Sequence, residues 1–74
     1  MDRQIISGYL TQAEQRVPDG EGRIARQCGL IAQLERDGHD ATAARQPLAT
    51  FENAQAMHVA NRFRLQRQLA AAGR

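Results

Sequence analysis

The sequence predicts an all-α protein, an antiparallel helical hairpin of two long helices that pairs with a second hairpin into a four-helix bundle. Three observations lead to this class. Strand-forming residues are scarce, with only three aromatic residues among 74. Apolar residues recur every three or four positions in both halves of the chain. One strong turn signal separates the two halves. We therefore expect a single domain, residues 1–74.

The first arm, about residues 3–36, carries an apolar seam with the three-four spacing of coiled-coil a and d positions. Smaller or polar residues stand within this seam at Ala13, Gly20 and Gln27, where they leave room for another helix to approach. The large seam residues of this arm are predicted to form a helix interface: Ile6, Leu10, Val17, Ile24, Ile31 and Leu34.

The turn is predicted at residues 37–40. Gly38 can adopt the positive φ that ends a helix, and Asp40 can cap the next one. The arms on either side have nearly equal lengths, which favours an antiparallel hairpin closed by this turn.

The second arm, about residues 41–71, continues the seam with Leu48, Phe51, Leu65 and Leu69. The middle of this seam is polar. Together with one residue of the first arm it forms a predicted polar layer, in which His58 is expected opposite Gly20. Such a layer commonly fixes helix register, and we favour that role for His58 over a ligand or a pH-sensitive contact. The predicted layer is Gln27, Gln55, His58 and Arg62.

Two prolines stand inside the arms. Pro18 costs about 3 kcal/mol within a helix and kinks or breaks it. The seam nevertheless keeps its seven-residue phase across Pro18, which favours one kinked helix over two helices separated by a turn. Pro47 kinks the second arm in the same way, or is the first residue of its helix, with residues 41–46 irregular.

Four segments of the chain resemble a set of short, uncharacterised bacterial proteins: ISGYL at 6–10, RIARQ at 23–27, LERDGHDAT at 34–42 and LATFE at 48–52. The resemblance covers about residues 4–69. It implies a helical hairpin and no particular function. Pro18 and Pro47 depart from the residues usual at these positions in that set.

The residue pattern does not favour catalysis. No nucleophile has a base nearby in sequence, and no Cys-x-x-Cys or His-x-x-x-His spacing indicates a metal site. We expect no enzyme activity, no cofactor and no small-molecule substrate. Cys28 is expected to be a partly buried, inert thiol beside the seam.

The charge pattern bears on partners. Residues 1–37 carry one net negative charge and residues 38–74 three net positive charges, so two copies could attract each other head to tail. The best hypothesis is a protein–protein interaction module, a homodimer or a hairpin on another helical protein. The alternative is nucleic-acid binding through Arg62, Arg64 and Arg67.

We expect a cytoplasmic protein that does not bind membranes. No apolar run reaches the length of a membrane helix or of a signal-peptide core, and the first arm carries many acidic residues for a membrane-surface helix.

Overall fold

A computed structural model describes residues 2–73 as two α-helices, α1 (Arg3–Arg36) and α2 (Thr42–Ala72). The helices pack against each other over their length and form a rod of 58 × 14 × 13 Å. The predicted all-α hairpin is confirmed.

Side-chain and backbone caps define the helix ends. The Asp2 carboxylate accepts a hydrogen bond from the Gln4 N–H and caps α1. At the other end Gly38 has φ 77°, and the N–H groups of Gly38 and His39 donate to the carbonyls of Glu35 and Leu34. This is a Schellman motif, which requires the left-handed conformation that glycine adopts without strain.

Asp40 lies two residues before the first residue of α2 and caps the N-terminus of that helix. Its Oδ1 accepts hydrogen bonds from the Thr42 N–H at 2.9 Å and from the Thr42 hydroxyl at 2.6 Å. These bonds hold the pKa of the Asp40 carboxyl below its usual value, with the hydroxyl as the larger cause. The turn therefore uses both residues that the sequence marks for it.

Both helices continue through their prolines. Pro18 lies within α1, and α2 begins at Thr42, five residues before Pro47. The alternatives of a turn at Pro18 and of an irregular segment 41–46 are therefore not adopted. Ala13 and Val17, which precede Pro18, are buried against α2, so packing holds the helix in phase where its backbone bonding is interrupted.

The apolar core is small and lies mainly at the open end of the hairpin. Ile6, Ala13 and Leu65 form its buried cluster, with Leu10 and Leu69 packed against it. Among residues 2–73 six apolar residues are buried, and none of them is less than 2 % exposed. A core of this size leaves the hairpin with much accessible surface.

Two glutamines connect the helices through main-chain carbonyls. Gln27 of α1 donates from Nε2 to the Ala44 carbonyl at 2.7 Å, and Gln55 of α2 donates from Nε2 to the Val17 carbonyl at 2.8 Å. Each bond links one helix to the other near a proline. Because a shift in register would break both bonds, they fix how the helices align.

Candidate interaction surface

The predicted seam is used between the two helices of the hairpin itself. Ile6, Val17, Ile31 and Leu65 are buried there. The other predicted seam residues are half-buried: Leu10, Ile24, Leu34, Leu48, Phe51 and Leu69. A further partner would therefore meet mainly the sides of the hairpin.

The polar-layer residues are all half-buried, but their contacts differ. The amide of Gln55 lies directly on Gly20, so close that a Cβ at Gly20 would stand 1.8 Å from its Oε1. His58 also lies near Gly20, on one side of the hairpin. The Arg62 guanidinium stacks 5.4 Å from the centroid of the Phe63 ring.

One side of the hairpin carries a groove between the helices. Tyr9, Gln12 and Arg16 line it from α1, and Asn61, Arg64, Leu65 and Gln68 line it from α2. Arg16 continues into a second depression with Asp19, Arg23 and His58. Residues seven apart in a helix share a face, so further side chains lie on this side. We call this surface the groove flank: Ile5, Tyr9, Gln12, Arg16, Asp19, Arg23, Arg26, Leu30, Met57, Asn61, Arg64 and Gln68.

The groove flank combines large apolar side chains with positive charge. Ile5, Tyr9, Leu30 and Met57 are each between 45 % and 72 % exposed, and they account for four of the five large apolar residues left exposed in the described chain. The charged residues are four arginines and one aspartate. Tyrosine, methionine and arginine are enriched in protein interfaces, and lysine, which this chain lacks, is depleted there.

The opposite side of the hairpin is acidic. Glu35 of α1 pairs with Arg45 of α2 at 3.3 Å, which places their heptad rows on the same side. The surface built from these two rows and Phe63 carries four glutamates and one arginine. We call it the acidic flank: Glu14, Glu21, Cys28, Glu35, Arg45, Glu52, Val59, Phe63 and Gln66. The two flanks therefore carry opposite charge.

The arginines of the predicted nucleic-acid site differ in their surroundings. Arg64 lines the groove and donates to the Asn61 side chain, whereas Arg62 is half-buried and Arg67 is exposed and lines no part of the groove. The structure instead places Arg64 beside Arg16 of the other helix. The signal for this second residue is the row Tyr9–Arg16–Arg23, whose members are seven apart directly beside the seam.

Three further features concern the cysteine thiol, groups of possible metal ligands and possible membrane spans. Cys28 is exposed rather than partly buried, because it lies outside the contact between the helices. Within residues 2–73 no three His, Cys, Asp or Glu side chains come together in a way that could hold a metal ion. Over the same range neither helix has the length and apolar character needed to cross a membrane.

Comparison with protein-family models, with curated proteins and with solved structures finds no match to this chain. The fold and the two flanks are therefore the basis for any functional assignment.

Proposed function

We propose that this chain is a helical protein–protein interaction module that self-associates through the groove flank. One observation carries the proposal: four large apolar side chains are exposed along that flank, spread over about 37 Å between Ile5 and Leu30, with arginines between them and the groove beside Tyr9. Large apolar side chains exposed along one face together with arginines are a composition typical of protein interfaces. Pairing of two hairpins in this way produces a four-helix bundle.

The accessible surface supports a partner of similar size. The chain exposes 5471 Å², whereas a compact monomer of 8.2 kDa exposes about 4,500 Å² by the usual scaling with mass. The excess is close to the area, about 800 Å², that each partner buries in a standard interface. Burial of one flank in a dimer would give the chain the surface of an ordinary globular protein.

The proposed self-association includes a kink in each helix. Pro18 and Pro47 remove one backbone hydrogen bond each from α1 and α2. We expect a kink at each position, and curvature of the two helices would let one hairpin follow the surface of another.

Substitution of the exposed apolar residues tests the proposal. Tyr9→Gln and Leu30→Gln should each weaken self-association by about tenfold, since both remove apolar contact area and leave the hairpin core intact. The measurement is molar mass by light scattering over a range of concentration. Ala60→Gln, on an exposed position outside both flanks, is the matched control and should leave the mass unchanged.

Circular dichroism must show unchanged helix content for all three variants. Equal association of the Tyr9, Leu30 and Ala60 variants would contradict the proposal, because the groove flank would then contribute nothing to it.

A second candidate function is nucleic-acid binding. Arg16 and Arg64 line the groove together with the exposed Tyr9, and arginines beside a stacking aromatic are suited to a single strand. A filter-binding assay with single-stranded oligonucleotides at low salt tests it. Binding that weakens steeply with salt and is lost in Arg16→Gln would support this function, and no binding at low salt would exclude it.

A further inference from the structure

Phe63 is the large apolar side chain exposed on the acidic flank, with 55 % of its surface accessible. In sequence it stands between Asn61 and Arg64, both of which line the groove. Phe63 therefore lies at the same height along the hairpin as the groove, but on the opposite side. A second hairpin stacked at the same height would bring this ring against α2 of the first, at the edge of its groove.

Along the axis of the hairpin, two glutamates of the acidic flank lie at nearly the same positions as two arginines of the groove flank. Glu14 stands two residues before Arg16, and Glu21 two residues before Arg23. Two residues of helix correspond to about 3 Å along its axis. Hairpins stacked in the same orientation without an axial shift would thus bring Glu14 opposite Arg16 and Glu21 opposite Arg23.

We infer that the groove flank binds the acidic flank of a second copy of this chain, stacked in the same orientation, with Phe63 of one copy packed against α2 at the edge of the next copy's groove. The inference rests on the proposed self-association and specifies its geometry. The groove measures about 240 Å³ and is lined by Tyr9, Arg16 and Arg64. A ring at the α2 edge of the groove would lie beside the Arg64 guanidinium.

A symmetric dimer would bring like charges together across its interface. Pairing of two groove flanks would bring four arginines against four arginines, with one aspartate on each side to offset them. Pairing of two acidic flanks would bring glutamates together in the same way. Like charges across an interface disfavour association, so the charge pattern favours the asymmetric contact.

An asymmetric contact leaves binding surfaces free at both ends of a dimer. One copy retains an open groove flank, and the other retains an open acidic flank. Head-to-tail contacts of this kind add further copies unless a ring closes. The molar mass should therefore continue to rise with concentration beyond that of two chains, and it should fall with added salt.

Paired charge reversal tests this geometry. The groove variant carries Arg16→Glu and Arg23→Glu, and the acidic variant carries Glu14→Arg and Glu21→Arg. All four positions are exposed, and unchanged helix content by circular dichroism verifies folding. The control variant, Arg36→Glu with Arg67→Glu, makes the same change in net charge as the groove variant, at exposed positions outside both flanks.

Each reversed variant alone should stay monomeric, because its two flanks then carry the same sign. An equimolar mixture should recover association, since each flank again finds a flank of opposite sign. The control variant should associate as the unmodified chain does. Phe63→Ala should raise the dissociation constant by about tenfold or more.

Three outcomes would overturn the inference. If the acidic variant associates as well as the unmodified chain, the acidic flank is not in the contact, although self-association still stands. If the mixture stays monomeric, charge does not pair the flanks. If the unmodified chain is itself monomeric at every concentration, the proposed function fails as well, and oligonucleotide binding to the groove flank would assign that surface to nucleic acid.

Discussion

Gly20 shows how a single residue sets the distance between the helices. The Gln55 amide lies against it, and its Oε1 is buried without a hydrogen-bond donor in the described chain. The seam pattern indicated that Gly20 leaves room for a partner helix, and it predicted His58 opposite. The structure places both side chains near this glycine: His58 lines the same depression, and Gln55, one helical turn earlier, lies directly on Gly20. Spacing alone could not choose between them, because the alignment depends on which amide reaches the Val17 carbonyl.

Alanine substitutions at Gly20 and at Gly29 together separate the effect of helix propensity from the effect of packing. Gly29→Ala, with nothing near its added methyl group, should raise the free energy of unfolding by about 0.5–1 kcal/mol. Gly20→Ala should stabilise by about 1–2 kcal/mol less than Gly29→Ala, because its methyl group displaces the Gln55 amide and breaks the hydrogen bond to Val17. Urea unfolding followed by circular dichroism measures both.

The difference in stability between Gly20→Ala and Gly29→Ala should disappear when each substitution is made separately in a Gln55→Ala background. Equal effects of the two alanines in the unmodified sequence would show that Gln55 does not occupy this position.

Asp40 makes the turn sensitive to acid. Its pKa is lowered in the folded chain, chiefly by the Thr42 hydroxyl and then by the Thr42 backbone N–H. A lowered pKa means that the contribution to stability is present at neutral pH and is lost as the carboxylate is protonated on acidification.

Thermal unfolding of Asp40→Ala tests this contribution. The variant should melt below the unmodified chain at neutral pH, and the difference should close as the pH falls below about 4. Asp37→Ala, an exposed aspartate that follows α1 and lies outside both flanks, serves as the control. A difference in melting temperature that is independent of pH would show that the carboxylate bonds contribute nothing.

At the scale of the elements, the two helices were predictable and their behaviour at the prolines was less so. The three-four spacing, the turn at Gly38 and the cap at Asp40 are local signals, and the structure contains all of them. Continuation through Pro18 depends on burial of Ala13 and Val17 against the other helix. The cost of a proline within the helix and the gain from burial are each a few kcal/mol. The local sequence therefore favours one kinked helix but does not determine it.

The two glutamine contacts between the elements are not equivalent. Gln55 donates one hydrogen bond but buries an Oε1 without a partner, whereas no such orphan atom belongs to Gln27 among the described residues. Gln55→Met should therefore raise the free energy of unfolding by about 1 kcal/mol, since removal of the buried carbonyl outweighs the lost bond. Gln27→Met should lower it by about 0.5–1.5 kcal/mol.

Chemical denaturation of these two variants at the same protein concentration provides the comparison. A larger loss of stability in the Gln55 variant than in the Gln27 variant would contradict this reading of the two contacts.

At the scale of the whole molecule, the two flanks emerge only when both helices are placed. The row of Tyr9, Arg16 and Arg23 is visible in the sequence, but its neighbour Arg64 comes from the other helix. The hypothesis based on Arg62, Arg64 and Arg67 used proximity in sequence and therefore combined residues with different surroundings. The short chain predicts a partner for the hairpin, whereas the side proposed for that contact could be chosen only from the fold.

Self-association is the central claim, and the molar mass of the unmodified chain tests it most directly. We would measure it by light scattering coupled to size-exclusion chromatography, from micromolar to millimolar concentration. We expect a mass that rises from 8.2 kDa to twice that value and beyond, and that falls when salt is added. A mass that stays at one chain over the whole range would contradict it.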